Sequence, residues 1–345
     1  MTSSTSSNFK DPAGLLLRML SSGNRAAYAA LIREGLQIAA MPLDAILSAF
    51  EKRRSQQETS SGHPVLLIIG APRSGTTLVY QVLAQYLDVT FPTNLSAMFP
   101  KSPLSVSRLI RFLPRLKTTD FRNFYGQTTH LRGPNDAFHV WDQWLGSDRY
   151  HPKTQLDDNT IRNMQSCLAS WTECYGRPFL NKNNRNTSCM KLLADTIPAA
   201  RFIVVKRHPM AVVQSLVKAR EDVQGNKHVG WGLQSATTSA EADSLAYVDD
   251  VCRQVRSIES ELQRQIDAVA PERIFEMTYE DFCGHPQEYV RQISEYFQGV
   301  GLNPELPLNT LQPFRVSSKS NMTAAEEARA RRCLALDASR QLLEV

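Results

Sequence analysis

The stretch PVLLIIGAPRSGTTLVYQVLAQ, from Pro64 to Gln85, sets the frame for the rest of the chain. Val65 to Ile69 form a short continuous apolar run without alternation, the signature of a strand covered on both faces in a parallel sheet. Gly70 ends the run, and Ala71-Pro72-Arg73-Ser74-Gly75 turns the chain so that Thr76 and Thr77 open a helix. The first backbone N–H groups of a helix have no partner within it. With two hydroxyls and the cationic Arg73 beside them, they form a site suited to a phosphate or sulfate group. Residues 70 to 77 fit the nucleotide phosphate loop G-x-x-x-x-G-K-[ST] except that Thr76 stands in place of the lysine. That lysine reaches the β- and γ-phosphates of a nucleoside triphosphate. An ordinary kinase or ATPase reading therefore loses its most specific residue, and the loop's positive charge sits at Arg73 instead.

Outward from this stretch, 345 residues suffice for one sizeable α/β core with decorations. A net charge of +5 is mildly basic and dispersed. It is consistent with an anionic ligand and gives no basic run of the kind that marks nucleic-acid binding. The six cysteines lack metal-ligand or disulfide-framework spacing. They read as reduced thiols in a cytoplasmic protein. Residues 1 to 10 are expected to form a disordered polar tail, too hydrophilic for a signal peptide. Residues 11 to 63 are expected to be a helical arm and linker. The apolar part of that arm, Leu36 to Phe50, is interrupted by Pro42 and Asp44, short of the roughly 20 apolar residues of a membrane span. It could lie on a membrane surface as an amphipathic helix, but packing on the core is the reading preferred here.

A second informative stretch, Pro178 to Ala211, reads as a βαβ unit. Phe179-Leu180 is a strand ending at Asn181-Lys182-Asn183-Asn184, Thr187 to Ala194 a helix, and Arg201 to Lys206 a second buried strand. Its conspicuous polar residues fall at carboxyl ends of strands, where open α/β sheets place ligands. Arg207-His208-Pro209 ends the second strand, and Ser215 lies on the following helix, eight residues beyond Arg207. Between the two stretches, residues 88 to 120 read as an irregular insertion that walls an acceptor site. Gly133-Pro134-Asn135-Asp136 leads into a helix from Ala137 to Leu145 that carries Phe138, Trp141 and Trp144.

Together these motifs resemble the sulfotransferases that use 3′-phosphoadenosine 5′-phosphosulfate (PAPS). The loop Gly70 to Thr77 is similar to the family's 5′-phosphosulfate loop, which reads PRSGTT in the tyrosyl-protein, carbohydrate and bacterial branches. Arg207-His208-Pro209 with Ser215 is similar to its 3′-phosphate motif. Asn181 to Asn184 resembles a K-[DNT]-P element without the proline, and Glu276 to Phe282 with His285-Pro286 resembles the strand and helix near the end of the fold. The resemblance spans about Val65 to Phe297. It implies a P-loop-like three-layer α/β fold over residues 64 to 300, a central parallel sheet flanked by helices. The C-terminal loop and helix, 301 to 345, are expected to pack on that core.

By resemblance, Arg73, Ser74, Gly75, Thr76 and Thr77 bind the 5′-phosphosulfate, and Arg207 and Ser215 read the 3′-phosphate. Arg73 and Lys182 bear on the transferred group, and no metal is required. Lys319, in the polar stretch Arg315 to Ser320, is either a further phosphate contact or part of a solvated loop. A general base is also needed. In the tyrosyl-protein branch a glutamate follows the phosphate-loop helix, but here Thr93-Asn94-Leu95 occupies that region. Asp136 is the candidate base, with helix capping as its alternative role, and His139 lies one turn later. The expected acceptor is a hydroxyl of a carbohydrate, lipid or small metabolite. The competing readings are a P-loop kinase or NTPase, and a nucleotide-binding relative that kept the fold but lost the base.

Overall fold

The computed structural model describes residues 11–54, 62–112, 121–148, 153–233, 237–239, 243–305, 307–316 and 320–341. The expected tail, most of the linker at 55–61 and Lys319 lie outside these residues. Helices α1 (Pro12–Ser21) and α2 (Arg25–Arg54) precede strand β1 (Val65–Ile69) and α3 (Thr76–Tyr86). Next come α4 (Asn94–Ala97), α5 (Pro103–Ile110), the small hairpin β2 (Asn123–Phe124) and β3 (Gln127–Thr128), then α6 (Phe138–Leu145) and α7 (Asp158–Tyr175). Strand β4 (Phe179–Lys182), α8 (Met190–Thr196), β5 (Ala200–Lys206), α9 (Pro209–Ala219) and α10 (Ala246–Asp267) follow. The chain closes with β6 (Ile274–Thr278), α11 (Tyr279–Gly284), α12 (Pro286–Tyr296) and α13 (Ala324–Gln341).

The main sheet runs β4-β1-β5-β6 with every neighbouring pair parallel. Because side chains alternate along a strand, β1 feeds two cores at once. Val65, Leu67 and Ile69 pack with Trp141, Trp144, Trp171 and Leu262 from α6, α7 and α10. Leu66 and Ile68 pack with Val79, Leu83, Val290 and Ile293 from α3 and α12. These three layers make the P-loop-like α/β architecture, and the apolar run of β1 is continuous because neither face meets water. Each of its five side chains is buried, worth roughly 1.5–3 kcal/mol apiece.

Pro42 lies inside α2, which runs through it as one helix. The proline lacks the N–H that would bond residue 38, and both positions face solvent, where water takes the orphaned carbonyl. Helix α10 begins at Ala246, after Asp243, whose Oδ1 accepts the Leu245 N–H at 2.8 Å and whose Oδ2 accepts from Arg329 of α13 at 3.1 Å. No helix among the described residues is long and apolar enough to cross a membrane.

Helix α13 is fixed to α10 by a buried carboxylate. Glu326 accepts from the Tyr247 hydroxyl, from Lys227 Nζ at 2.9 Å and from the Thr323 N–H at 2.5 Å. Burial works against its charge, but these donors outweigh it and hold the carboxyl at about 2 against an ordinary 4.5. A depressed folded value means that the stabilisation is complete above pH 4.5 and is lost as pH falls through about 2. Hydrogen exchange along an acid titration is expected to show α13 losing protection before the sheet does. Equal protection of the two throughout would count against this linkage.

Candidate active site

The carboxyl ends of β1, β4 and β5 bring the loop, Lys182 and Arg207 to one edge of the sheet. Gly70 must be glycine, since a Cβ there would stand 2.6 Å from the Val205 carbonyl oxygen of β5. The Thr187 hydroxyl donates to the Gly70 carbonyl at 3.0 Å, tying the loop to the turn after β4. Arg73 and Gly75 both take left-handed backbone conformations, with φ of 72° and 94°. The alternation turns successive N–H groups toward one point, as in an anion nest.

Arg73 is where the two sequence motifs meet. Its Nε donates to Ser215 Oγ at 2.9 Å, and its carbonyl accepts from Arg207 Nη1 at 2.9 Å. Its guanidinium lies over the Tyr125 ring, 4.8 Å from the centroid, while Arg207 lies over Tyr279 at 4.7 Å. Burial lowers the pKa of Arg73, the Tyr125 phenol opposes the shift and Arg207 adds to it. A guanidinium remains charged all the same. Two polar atoms at this site are buried without an acceptor or donor, Ser74 Oγ and Arg207 Nε. The nearest carboxylate oxygen to Arg207 Nε, on Glu280, stands 3.8 Å away, beyond hydrogen-bond range. Unpaired buried polar atoms are costly, and two of them beside a nest and paired arginines fit an anionic ligand with several acceptor oxygens.

Lys182, at the end of β4, is buried and pairs with Asp136 Oδ2 at 2.7 Å. Asp136 is not a helix cap: α6 begins at Phe138 with no side-chain cap, and Ala137, expected to be helical, precedes it at φ 52°. Asn135 makes the local turn instead, its Oδ1 accepting the Ala137 N–H at 2.8 Å. The Asp136 backbone is clamped, its carbonyl receiving Asn183 Nδ2 at 3.3 Å, and the Asn135 carbonyl receiving Tyr80 Oη at 3.2 Å and Asn181 Nδ2 at 3.2 Å. A Cβ on Gly126 would sit 3.6 Å from Asp136 Oδ2 and 3.8 Å from Lys182 Nζ, so the hairpin turn borders this ion pair. His139 is oriented differently. It lies near Asp142 and Asp44 of α2, and burial, the larger influence, lowers its pKa to about 4. The imidazole is therefore neutral near pH 7.

Several residues at the site escaped the sequence reading. Tyr125 and Gly126 turn the β2–β3 hairpin with positive φ at both positions, 47° and 95°. The Tyr125 hydroxyl donates to Asp222 Oδ2 at 2.5 Å, and burial together with that bond raises the phenol's pKa, keeping it a neutral donor. Alternation around the Tyr125-Gly126 dipeptide was the only sequence signal for this hairpin. Asn94, in the segment after the loop helix, is a buried connector. It donates to Thr128 Oγ1 and the His130 carbonyl, both at 2.7 Å, and accepts from Asn135 at 2.8 Å. Among the described residues no group of three or more His, Cys, Asp or Glu could hold a metal ion.

The site sets a lysine-free, glycine-bearing loop and an arginine-serine pair at the carboxyl edge of a parallel α/β sheet. A family model described as the sulfotransferase family matches residues 64–301, and the chain belongs to that family. It is 24% identical over 270 residues to the omega-hydroxy-beta-dihydromenaquinone-9 sulfotransferase Stf3 of Mycobacterium bovis and of Mycobacterium tuberculosis. Each match covers 72% of this chain and 66% of the relative, just under two thirds of its length. Among solved structures, sulfotransferase STF9 of Mycobacterium avium aligns with a TM-score of 0.46 and 19% identity, over 80% of this chain and 69% of that one. STF1 of Mycobacterium tuberculosis aligns with a TM-score of 0.46 and 13% identity, over 92% and 84%.

Proposed function

We propose that this sulfotransferase moves the sulfuryl group of PAPS to the hydroxyl of a lipid acceptor, in the cytoplasm, without a metal. The observation that carries the donor reading is the joint at Arg73, where the phosphate loop and the Arg207–Ser215 motif share hydrogen bonds. One ligand with anionic groups at two ends satisfies both motifs together. The acceptor reading draws on Stf3, a sulfotransferase named for omega-hydroxy-beta-dihydromenaquinone-9. The six free thiols fit a reducing compartment.

In this reading the Thr76 and Thr77 N–H groups, the Ser74 hydroxyl and Arg73 hold the 5′ end, and Arg207 and Ser215 hold the 3′-phosphate. The donor supplies a sulfuryl group on a phosphate leaving group. Asp136 takes the proton of the acceptor hydroxyl as that oxygen bonds to sulfur. Lys182, beside Asp136, stabilises charge on the departing phosphate oxygen as the old sulfur–oxygen bond breaks. Positioning and electrostatics of this kind supply most of the effect in group transfer. His139 lies near Asp142 and near Asp44 of α2, and no step is assigned to it.

Calorimetry with 3′-phosphoadenosine 5′-phosphate, adenosine 5′-phosphate and ATP tests the donor. Binding is expected to require the 3′-phosphate and to weaken about 10- to 100-fold in Arg207→Ala, the worth of charge-assisted hydrogen bonds. Tighter binding of magnesium–ATP, or an unchanged Arg207→Ala, would overturn the reading in favour of a kinase or NTPase.

A further inference from the structure

Helix α2 packs Ala27, Ala30, Ala40 and Leu47 inward, yet it also turns charges to the core and leaves large apolar side chains in water. A water-facing helix turns its charges outward and its apolar stripe to the core. Here three charged residues turn inward. Arg33 donates to the Thr128 carbonyl at 2.6 Å, Asp44 accepts from Ser102 Oγ at 2.6 Å, and Glu51 accepts from the Leu104 and Ser105 N–H groups at 2.9 and 2.7 Å. The first turn of α5 is thereby capped by a residue of another helix. Ile32, Leu36, Leu43, Ile46 and Phe50 meanwhile face solvent, Ile32 at 63% exposure and Ile46 at 61%. Their spacing of four, seven, three and four residues puts them on one helical face. The exposed Leu16, Leu17 and Leu20 lie on α1 and Leu109 on α5, both packed against α2, and Phe112, 80% exposed, follows α5.

We infer that this face of α2, together with the end of α5, is a docking surface for an anionic lipid bilayer. Charge selects that occupant over a second copy of the chain. The segment Arg25 to Arg54 holds five cations and three carboxylates, and two of those carboxylates, Asp44 and Glu51, are spent on α5. The helix ends on Lys52-Arg53-Arg54, and Arg111 lies over the Phe112 ring at 4.5 Å from its centroid. An apolar stripe on a helix whose sequence ends in three consecutive cations, with one outward carboxylate, Glu34, complements a negatively charged headgroup layer. A copy of the same face would bring cations against cations. The adjoining residues 55 to 61, Ser-Gln-Gln-Glu-Thr-Ser-Ser, contain no apolar side chain to cover it. The inference does not rest on the transfer reaction. If the acceptor is a lipid, the surface also delivers it, since Arg33 ties α2 to the hairpin that borders Asp136 and Lys182.

The test is co-sedimentation of the full chain, without donor or acceptor, with phosphatidylcholine vesicles containing roughly a third phosphatidylglycerol, and with pure phosphatidylcholine vesicles. Binding to the anionic vesicles is expected to exceed binding to the neutral ones. The double variant Ile46→Ser/Phe50→Ser is expected to lower partitioning by about tenfold or more, since both side chains leave an apolar phase. Lys52→Ser/Arg53→Ser is expected to cost about tenfold on the anionic vesicles alone. Ile46 and Phe50 are exposed, at 61% and 52%, and an unchanged far-UV circular dichroism spectrum and thermal unfolding midpoint check that each variant is folded. Absence of binding to either vesicle, or partitioning insensitive to both variants, would overturn the inference. So would an oligomer in sedimentation velocity that Ile46→Ser/Phe50→Ser disperses, which would assign the face to a second copy.

Discussion

Gly75→Ala is expected to lower affinity for 3′-phosphoadenosine 5′-phosphate about 100-fold or more while the sheet stays folded. Gly75 sits at φ 94°, where a Cβ costs roughly 1–2 kcal/mol. That Cβ would also stand 2.0 Å from Tyr279 Cδ2. The ring cannot remain in place, and Arg207 rests on it at 4.7 Å. One methyl group therefore disturbs the loop and, through Tyr279, the other motif. Calorimetry measures the loss and thermal unfolding checks the fold. The prior change Tyr279→Ala, by removing the ring, should restore part of the affinity to Gly75→Ala. An affinity within a few-fold of wild type in Gly75→Ala alone would refute the coupling.

Asp136→Asn is expected to reduce kcat by about 10²- to 10⁴-fold, the usual worth of a positioned general base. Binding of 3′-phosphoadenosine 5′-phosphate is expected to persist, because the Asp136 backbone keeps its clamp from Asn183. The amide still accepts from Lys182 but cannot take a proton at neutral pH. The acid limb of the wild-type rate profile is accordingly expected to disappear. A purely structural role would lower stability and leave that limb in place. Activity within tenfold of wild type would be fatal to the assignment, and His139 would then need a rate measurement of its own.

The sheet and the meeting of the loop with Arg207 and Ser215 were legible because their signals are local. A run of five apolar residues, a loop with glycines at both ends, and an arginine at a strand end with a serine on the next helix all lie within short windows. The rest depends on partners far along the chain. Asp136 looked equally like a cap because only Lys182, 46 residues away, shows which way its carboxylate turns. Asn94 read as a missing carboxylate until its bonds to Thr128, His130 and Asn135 appeared. His139 lies one turn beyond Asp136 but near Asp44 of α2, because Asn135 delays the start of α6 by a residue. The arm was hardest to read. Its charged residues satisfy α5 and the hairpin, and no window of α2 alone reveals that its apolar stripe points outward.

The hydrogen bonds that join Arg73 to Ser215 and Arg207 also make the two halves of the nucleotide pocket interdependent. Whatever fills one half must first loosen contacts that belong to the other. A whole donor meets that reorganisation once, whereas a fragment meets it alone and recovers only its own share. Affinities of the pieces then sum to less than the affinity of the whole, and by reciprocity each piece sharpens the site for its complement. Under the proposed reading, such a pocket recognises the distance between two charges as well as the charges themselves.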